Sequence, residues 1–195
     1  MSETESDLTT LGFAPAQQPN TARIRTWEIA GTAHAGTAHA GTYIVGSYAS
    51  SLGCSVPINS GPQHVVVQAA FAAFNKWVAT GIPPASPSPI ASSPTGSTNL
   101  TRDASGNVIG GVRTPAVDVP VSALSGIAAP GASAECSLFG STVAFDPSHL
   151  RQLYGTRDAY LTRFRASLDK AIRAGYILAA DRAALLQQAE AVPFG

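Results

Sequence analysis

The chain has 195 residues, of which 45% are hydrophobic and 12% charged, and its formal net charge is zero. That length suits one domain, and the apolar fraction excludes global disorder. The absence of any block of Lys or Arg excludes a nucleic-acid footprint or an anionic-membrane patch, and no apolar run is long enough to span a bilayer.

Residues 1–22 begin acidic and polar, unlike a signal peptide, and Pro15 and Pro19 oppose a long helix. They read as an irregular lead-in. Arg23 to Ala30 reads as a buried strand carrying Trp27. A glycine-rich loop, Gly31 to Gly41, follows, and in it the residues Gly-Thr-Ala-His-Ala occur twice in tandem. That repeat places His34 and His39 just beyond the strand. The residues after it, Thr42 to Ala49, form a second short apolar run, and Cys54 to Pro62 is rich in turn formers.

A helix is predicted from Gln63, with Val66, Ala70, Phe74 and Trp77 or Val78 at helical spacing and Gly81 as its stop. Trp27, Trp77, Phe71 and Phe74 read as core anchors. The next stretch, rich in Pro and Ser, reads as an extended connector. Residues 98–114 have the grammar of a hairpin that turns at Asp103 to Asn107. Ala116 to Gly126 reads as an extended edge segment, because Pro115 and Pro120 exclude a central strand. Asp146 and Pro147 then start a short helix that ends at Gly155. A longer helix covers Asp158 to Ala174, and a last amphipathic one covers Asp181 to Ala191. The fold class is α/β, within one domain divided as 1–62 (acid and histidine loops), 63–81 (helix), 82–145 (connector, hairpin and extended segments) and 146–195 (helical tail).

Histidine on a strand-end loop suits acid–base chemistry, because its ordinary pKa lies near neutrality. Taken alone, loop histidines are usually plain polar residues, and Glu5 and Asp7 read equally well as solvated acids. His64 and His149 sit at helix starts and read as surface residues. A metal site built from His34, His39 and Glu28 has poor ligand spacing, and no metal or cofactor is assigned. Cys54 and Cys136 could form a disulfide in an oxidising compartment, but two buried thiols are the preferred reading. The sparse charge implies a surface that relies on neutral polar groups, or one partly covered by something else.

The residues Glu5-Ser6-Asp7-Leu8, Ala16-Gln17-Gln18-Pro19-Asn20-Thr21 and Trp27-Glu28-Ile29-Ala30-Gly31-Thr32-Ala33-His34-Ala35 resemble, in that order, an α/β-hydrolase domain family of esterase-like proteins. That family carries an ETDL…ARQPDT…WEVAGTAHAD pattern. The resemblance continues through PINSGP, NKWVATGIPP, DASGNVIGGVRTPAVDVP, CSLFGSTVAFD and LYGTRDAYLTRF, and so covers nearly the whole chain. It implies that the fold is the C-terminal half of an α/β-hydrolase sheet with a β-hairpin insertion and a helical C-terminal tail. It implies His34 as the catalytic histidine, with His39 as the alternative created by the duplication, and Asp7 as the acid, with Glu5 as the alternative. His34 is preferred because its distance from the strand matches the family, whereas His39 keeps the downstream match. The chain departs from the pattern at Gly36 or Gly41, where Asp is usual, and at Gln17, where Arg is usual.

The larger departure is the nucleophile. No G-x-S-x-G string occurs, and the nearest strings, at Gly53 and Gly131, lack the second glycine. The expectation is a C-terminal fragment that supplies acid and histidine and is inactive alone. In the intact enzyme a small ester would be the substrate, and an N-terminal hydrolase segment would complete the site. The alternative is a non-catalytic association domain that pairs with such a segment or with itself. No nucleic acid or membrane partner is expected. Compartment stays open: cytoplasmic as the chain stands, with secretion open for an intact protein.

Overall fold

The computed structural model of the protein describes residues 1–36 and 53–194. His39 and the apolar run at 42–49 lie outside the described residues. Among the described residues two small sheets carry the strands, and helices pack against them.

The first sheet positions the N-terminal chemistry. β1 (Ser2–Thr4) runs parallel to β2 (Trp27–Ile29), with Ser2 opposite Trp27 and Thr4 opposite Ile29. Val112 adds a parallel bridge to Ile29 and donates its N–H to the Glu28 carbonyl at 2.6 Å. β1 passes directly into α1 (Glu5–Thr9). The local sequence dictates this switch, because Thr4 and Asp7 form a reciprocal capping box. Thr4 Oγ1 accepts the Asp7 N–H, while Asp7 Oδ2 accepts the Thr4 N–H at 2.6 Å. The lead-in is therefore not irregular throughout: a strand and a capped helix precede Pro15. A three-residue strand has no readable period, and it exists only because β2 pairs with it. β2 itself is shorter than the strand predicted over 23–30.

α2 (Gln63–Thr80) ends at Gly81, whose φ of 72° is the left-handed value that glycine adopts without strain. Its buried face is Gln63, Val65, Val66 and Ala69. Phe71 and Phe74 are 66% and 54% exposed and are not core anchors, whereas Trp27 is buried. The helix is apolar on more than one side, so helical spacing alone does not choose the face that is covered.

After the Pro-rich connector, antiparallel bridges join Ile90 to Gly110, Ser92 to Leu100 and Arg102 to Val108. The chain reverses where Asp103 Oδ1 accepts the N–H groups of Ser105 and Asn107 at 2.9 and 3.1 Å. The segment expected to be extended instead opens with a helical turn, α3 (Pro115–Asp118), which Pro115 can begin because its missing N–H is not needed there. β3 (Ser122–Ser125) follows and pairs antiparallel with β4 (Ser141–Ala144).

The C-terminal helices are α4 (Pro147–Tyr154), α5 (Arg157–Arg173) and α6 (Arg182–Glu190). Asp146 caps α4 by accepting the Ser148 and His149 N–H groups at 2.8 and 3.0 Å. Tyr160, Leu161, Phe164, Leu168 and Ala171 form the buried stripe of α5 and join Trp27, Ile29, Val65, Val66 and Val112 in one cluster. The helical tail is thus the main core of the fold and the platform on which β2 rests.

Cys54 and Cys136 are joined in a disulfide, which corrects the expectation of two thiols. Their segments run side by side: Asn59 N–H donates to the Phe139 carbonyl and Thr142 N–H to the Pro57 carbonyl, each at 2.8 Å. An 82-residue separation conceals that proximity from the sequence.

Candidate active site

Parallel pairing brings the two candidate chemical groups together. Both strands of the first sheet end at the same level, and the residues just beyond them form adjacent loops. Ligands and catalytic groups gather at such carboxyl ends in α/β folds. Asp7 lies three residues past β1, and His34 lies five past β2. Their side chains meet, with His34 Nδ1 2.7 Å from Asp7 Oδ1.

Each partner is oriented by its own loop. Asp7 Oδ2 accepts both the Thr4 N–H, at 2.6 Å, and the Thr4 hydroxyl, at 2.8 Å, so Oδ1 is the oxygen turned to the imidazole. The histidine loop begins with Thr32 Oγ1 donating to the Ile29 carbonyl at 2.7 Å. Gly31 has φ of 73°, and a Cβ there would overlap the Val117 side chain, so the turn requires glycine twice over. His34 N–H donates to Ser6 Oγ at 3.3 Å, and that hydroxyl donates to the Gly126 carbonyl at 2.5 Å.

A carboxylate only accepts hydrogen bonds, so neutral His34 carries its proton on Nδ1 and keeps a lone pair on Nε2. No described residue bonds Nε2. The Asp7 side chain is 10% exposed and that of His34 49%, so a buried carboxyl holds a half-exposed imidazole. The pair opens onto a cleft of about 660 Å³ whose walls include Leu11, Phe13, Val67, Phe71 and Phe74. That volume lies in the range of small-molecule sites. Glu3 also lines the cleft, and burial, followed by the charge of Asp7, holds its carboxyl above the usual range.

The other candidates lie elsewhere. Glu5, the alternative acid, is fully buried and faces Gly31, Gly126 and Arg102 rather than His34. His39 lies outside the described residues. Glu28 accepts from Gln17 Nε2 and the Ile90 N–H, each at 2.6 Å, and burial raises its pKa. Among the described residues no cluster of three His, Cys, Asp or Glu side chains could hold a metal ion. Three contributors escaped the sequence reading: Thr4, Ser6 and Arg102. Thr4 was recoverable, because Thr-x-x-Asp is itself a helix-start signal. Arg102 lies 97 residues from Glu5 and carries no local sign of that contact.

A family model described as an alpha/beta hydrolase domain matches residues 1–187. No curated protein and no solved structure matches the chain.

Proposed function

The chain belongs to the alpha/beta hydrolase domain family, and we propose that Asp7 and His34 are the acid and the general base of a serine-hydrolase reaction on a carboxylic ester. The observation that carries this reading is the 2.7 Å contact from Asp7 to His34 Nδ1 at the strand ends, where both residues line an apolar cleft. His34 Nε2 takes the proton of a serine hydroxyl as the serine oxygen attacks the ester carbonyl. The imidazolium, steadied by Asp7, then protonates the departing alkoxide. Water repeats the cycle in reverse and releases the acid.

The chain has no G-x-S-x-G string, so in this reading the nucleophile comes from an N-terminal hydrolase segment and the chain alone turns over no ester. The test is turnover of a p-nitrophenyl ester by the chain alone and by the chain assembled with a segment of the same family that carries G-x-S-x-G. The reading expects none from the first and His34-dependent turnover from the second. Turnover by the chain alone, or turnover indifferent to His34→Ala, would contradict it.

A second reading is favoured by the apolar surface. Phe71, Phe74 and Val78 are 66%, 54% and 72% exposed along one helix, and Phe71 and Phe74 share a cleft with Leu11 and Phe13. Such a patch marks an association surface. In this reading the chain works by pairing, with an N-terminal hydrolase segment or with a second copy, and size-exclusion chromatography tests the second of these.

A further inference from the structure

Glu5 ties the acid turn to the base of the histidine loop through a single side chain, below the Ser6 hydroxyl that accepts the His34 N–H. Its Oε1 accepts the Gly31 N–H at 2.8 Å, and its Oε2 accepts Arg102 Nη2 at 2.8 Å and the Gly126 N–H at 3.1 Å. Its own N–H donates to the Thr32 carbonyl at 3.1 Å. Gly31 and Thr32 precede His34 on the same loop, and Asp7 follows Glu5 by two residues on the same helical turn. Glu5 therefore makes contacts on both sides of the gap between Asp7 and His34.

The junction is closely built. A Cβ at Gly126 would overlap Glu5 and crowd the Thr32 carbonyl and the Ser6 N–H. Arg102 holds its own place by donating to the Gly106 carbonyl at 2.9 Å and to Ser125 Oγ at 3.0 Å. A fully buried carboxylate is unfavourable unless cations and N–H groups satisfy it, and here three donors do so. Burial nevertheless raises the Glu5 pKa, with Arg102 acting in the opposite direction.

We propose that Glu5, fixed by Arg102, is a positioning residue that holds the His34 loop in register with Asp7, and is not itself the acid of the site. The proposal rests on Asp7 and His34 being the acid–base pair. It assigns no contact between Glu5 and substrate. A role confined to stability would leave the geometry of His34 untouched in any variant that still folds.

The experiment reads the imidazole nitrogen resonances of His34 and the exchange rates of the Gly31 and Gly126 amides in the full chain. Glu5→Gln keeps the side-chain length but sets an NH2 group against donors. The expected result is exchange at Gly31 or Gly126 faster by roughly tenfold or more, with the amide of Leu168 in the helical core unchanged. His34 is expected to lose its single Nδ1–H tautomer for a mixture. Arg102→Gln, at a half-buried position, is expected to act in the same direction, with partial recovery in Arg102→Lys. If Glu5→Gln does not fold, Arg102→Gln decides on the same readouts. A folded variant with unchanged His34 resonances and unchanged Gly31 and Gly126 exchange overturns the proposal. Asp7→Asn separates the two claims. It should change His34 without changing Gly31 exchange, and if it leaves His34 unaltered, the acid–base reading fails whatever Glu5 does.

Discussion

Opening the Cys54–Cys136 disulfide is expected to destabilise the chain by a large fraction of its total stability. The bond closes a loop with an 82-residue separation. Loop-closure entropy of about −2.1 − 1.5R ln n cal/mol/K gives roughly 4.5 kcal/mol at 25 °C for that length. A domain has only about 5–15 kcal/mol in total, so the reduced form should be marginal. In urea, with a slope of about 2 kcal/mol/M, the midpoint should fall by about 2 M. The assay is parallel urea titration of the oxidised chain, the reduced chain and Cys54→Ala/Cys136→Ala. The disulfide also holds the 133–140 segment against the histidine loop, since Ala35 N–H donates to the Leu138 carbonyl at 3.1 Å. Reduction should therefore raise amide exchange at Ala35 before global unfolding. A midpoint shift below about 0.5 M, or an Ala35 amide indifferent to reduction, would refute this reasoning.

Glu28→Gln tests a buried carboxyl that no cation among the described residues pairs with. Burial raises its pKa above the ordinary 4.5, so its contribution to stability is fully present below about 4.5 and is lost as pH rises through the folded-state value. Gln carries no such loss, and the urea midpoint of the variant relative to the parent should improve between pH 4.5 and pH 8; a constant difference would contradict the assignment. The double change Phe71→Ser/Phe74→Ser removes exposed apolar surface, at 66% and 54%, and should shift stability by only about 0.5 kcal/mol while delaying elution of any associated form. An unchanged elution profile of an associated form would place the contact elsewhere.

Local chemistry made much of this molecule legible in its sequence. Asp146 followed by Pro147 marks the start of α4, Gly81 marks the end of α2, and Asp103 to Asn107 marks a reversal, because each feature depends on residues adjacent in the chain. His34 was readable as a strand-end residue for the same reason. What stayed hidden depends on partners distant in sequence. β1 exists only through β2, Arg102 reaches Glu5 across 97 residues, and Cys136 reaches Cys54 across 82. The exposure of Phe71 and Phe74 is not legible in the sequence, because an apolar helix does not state which face its neighbours cover. Glu5 and Asp7 look interchangeable as letters. Only the capping box at Thr4, which turns Asp7 outward while Glu5 faces Gly31 and Arg102, separates them.

The most direct test of the account is the tautomer of His34 in the folded chain, read from its imidazole nitrogen resonances, with Asp7→Asn as the comparison. The account predicts that the neutral form of the ring holds its proton on Nδ1, and that this single tautomer is lost when Asp7 becomes Asn. A proton on Nε2 in the parent, or spectra that do not distinguish the parent from Asp7→Asn, would contradict it.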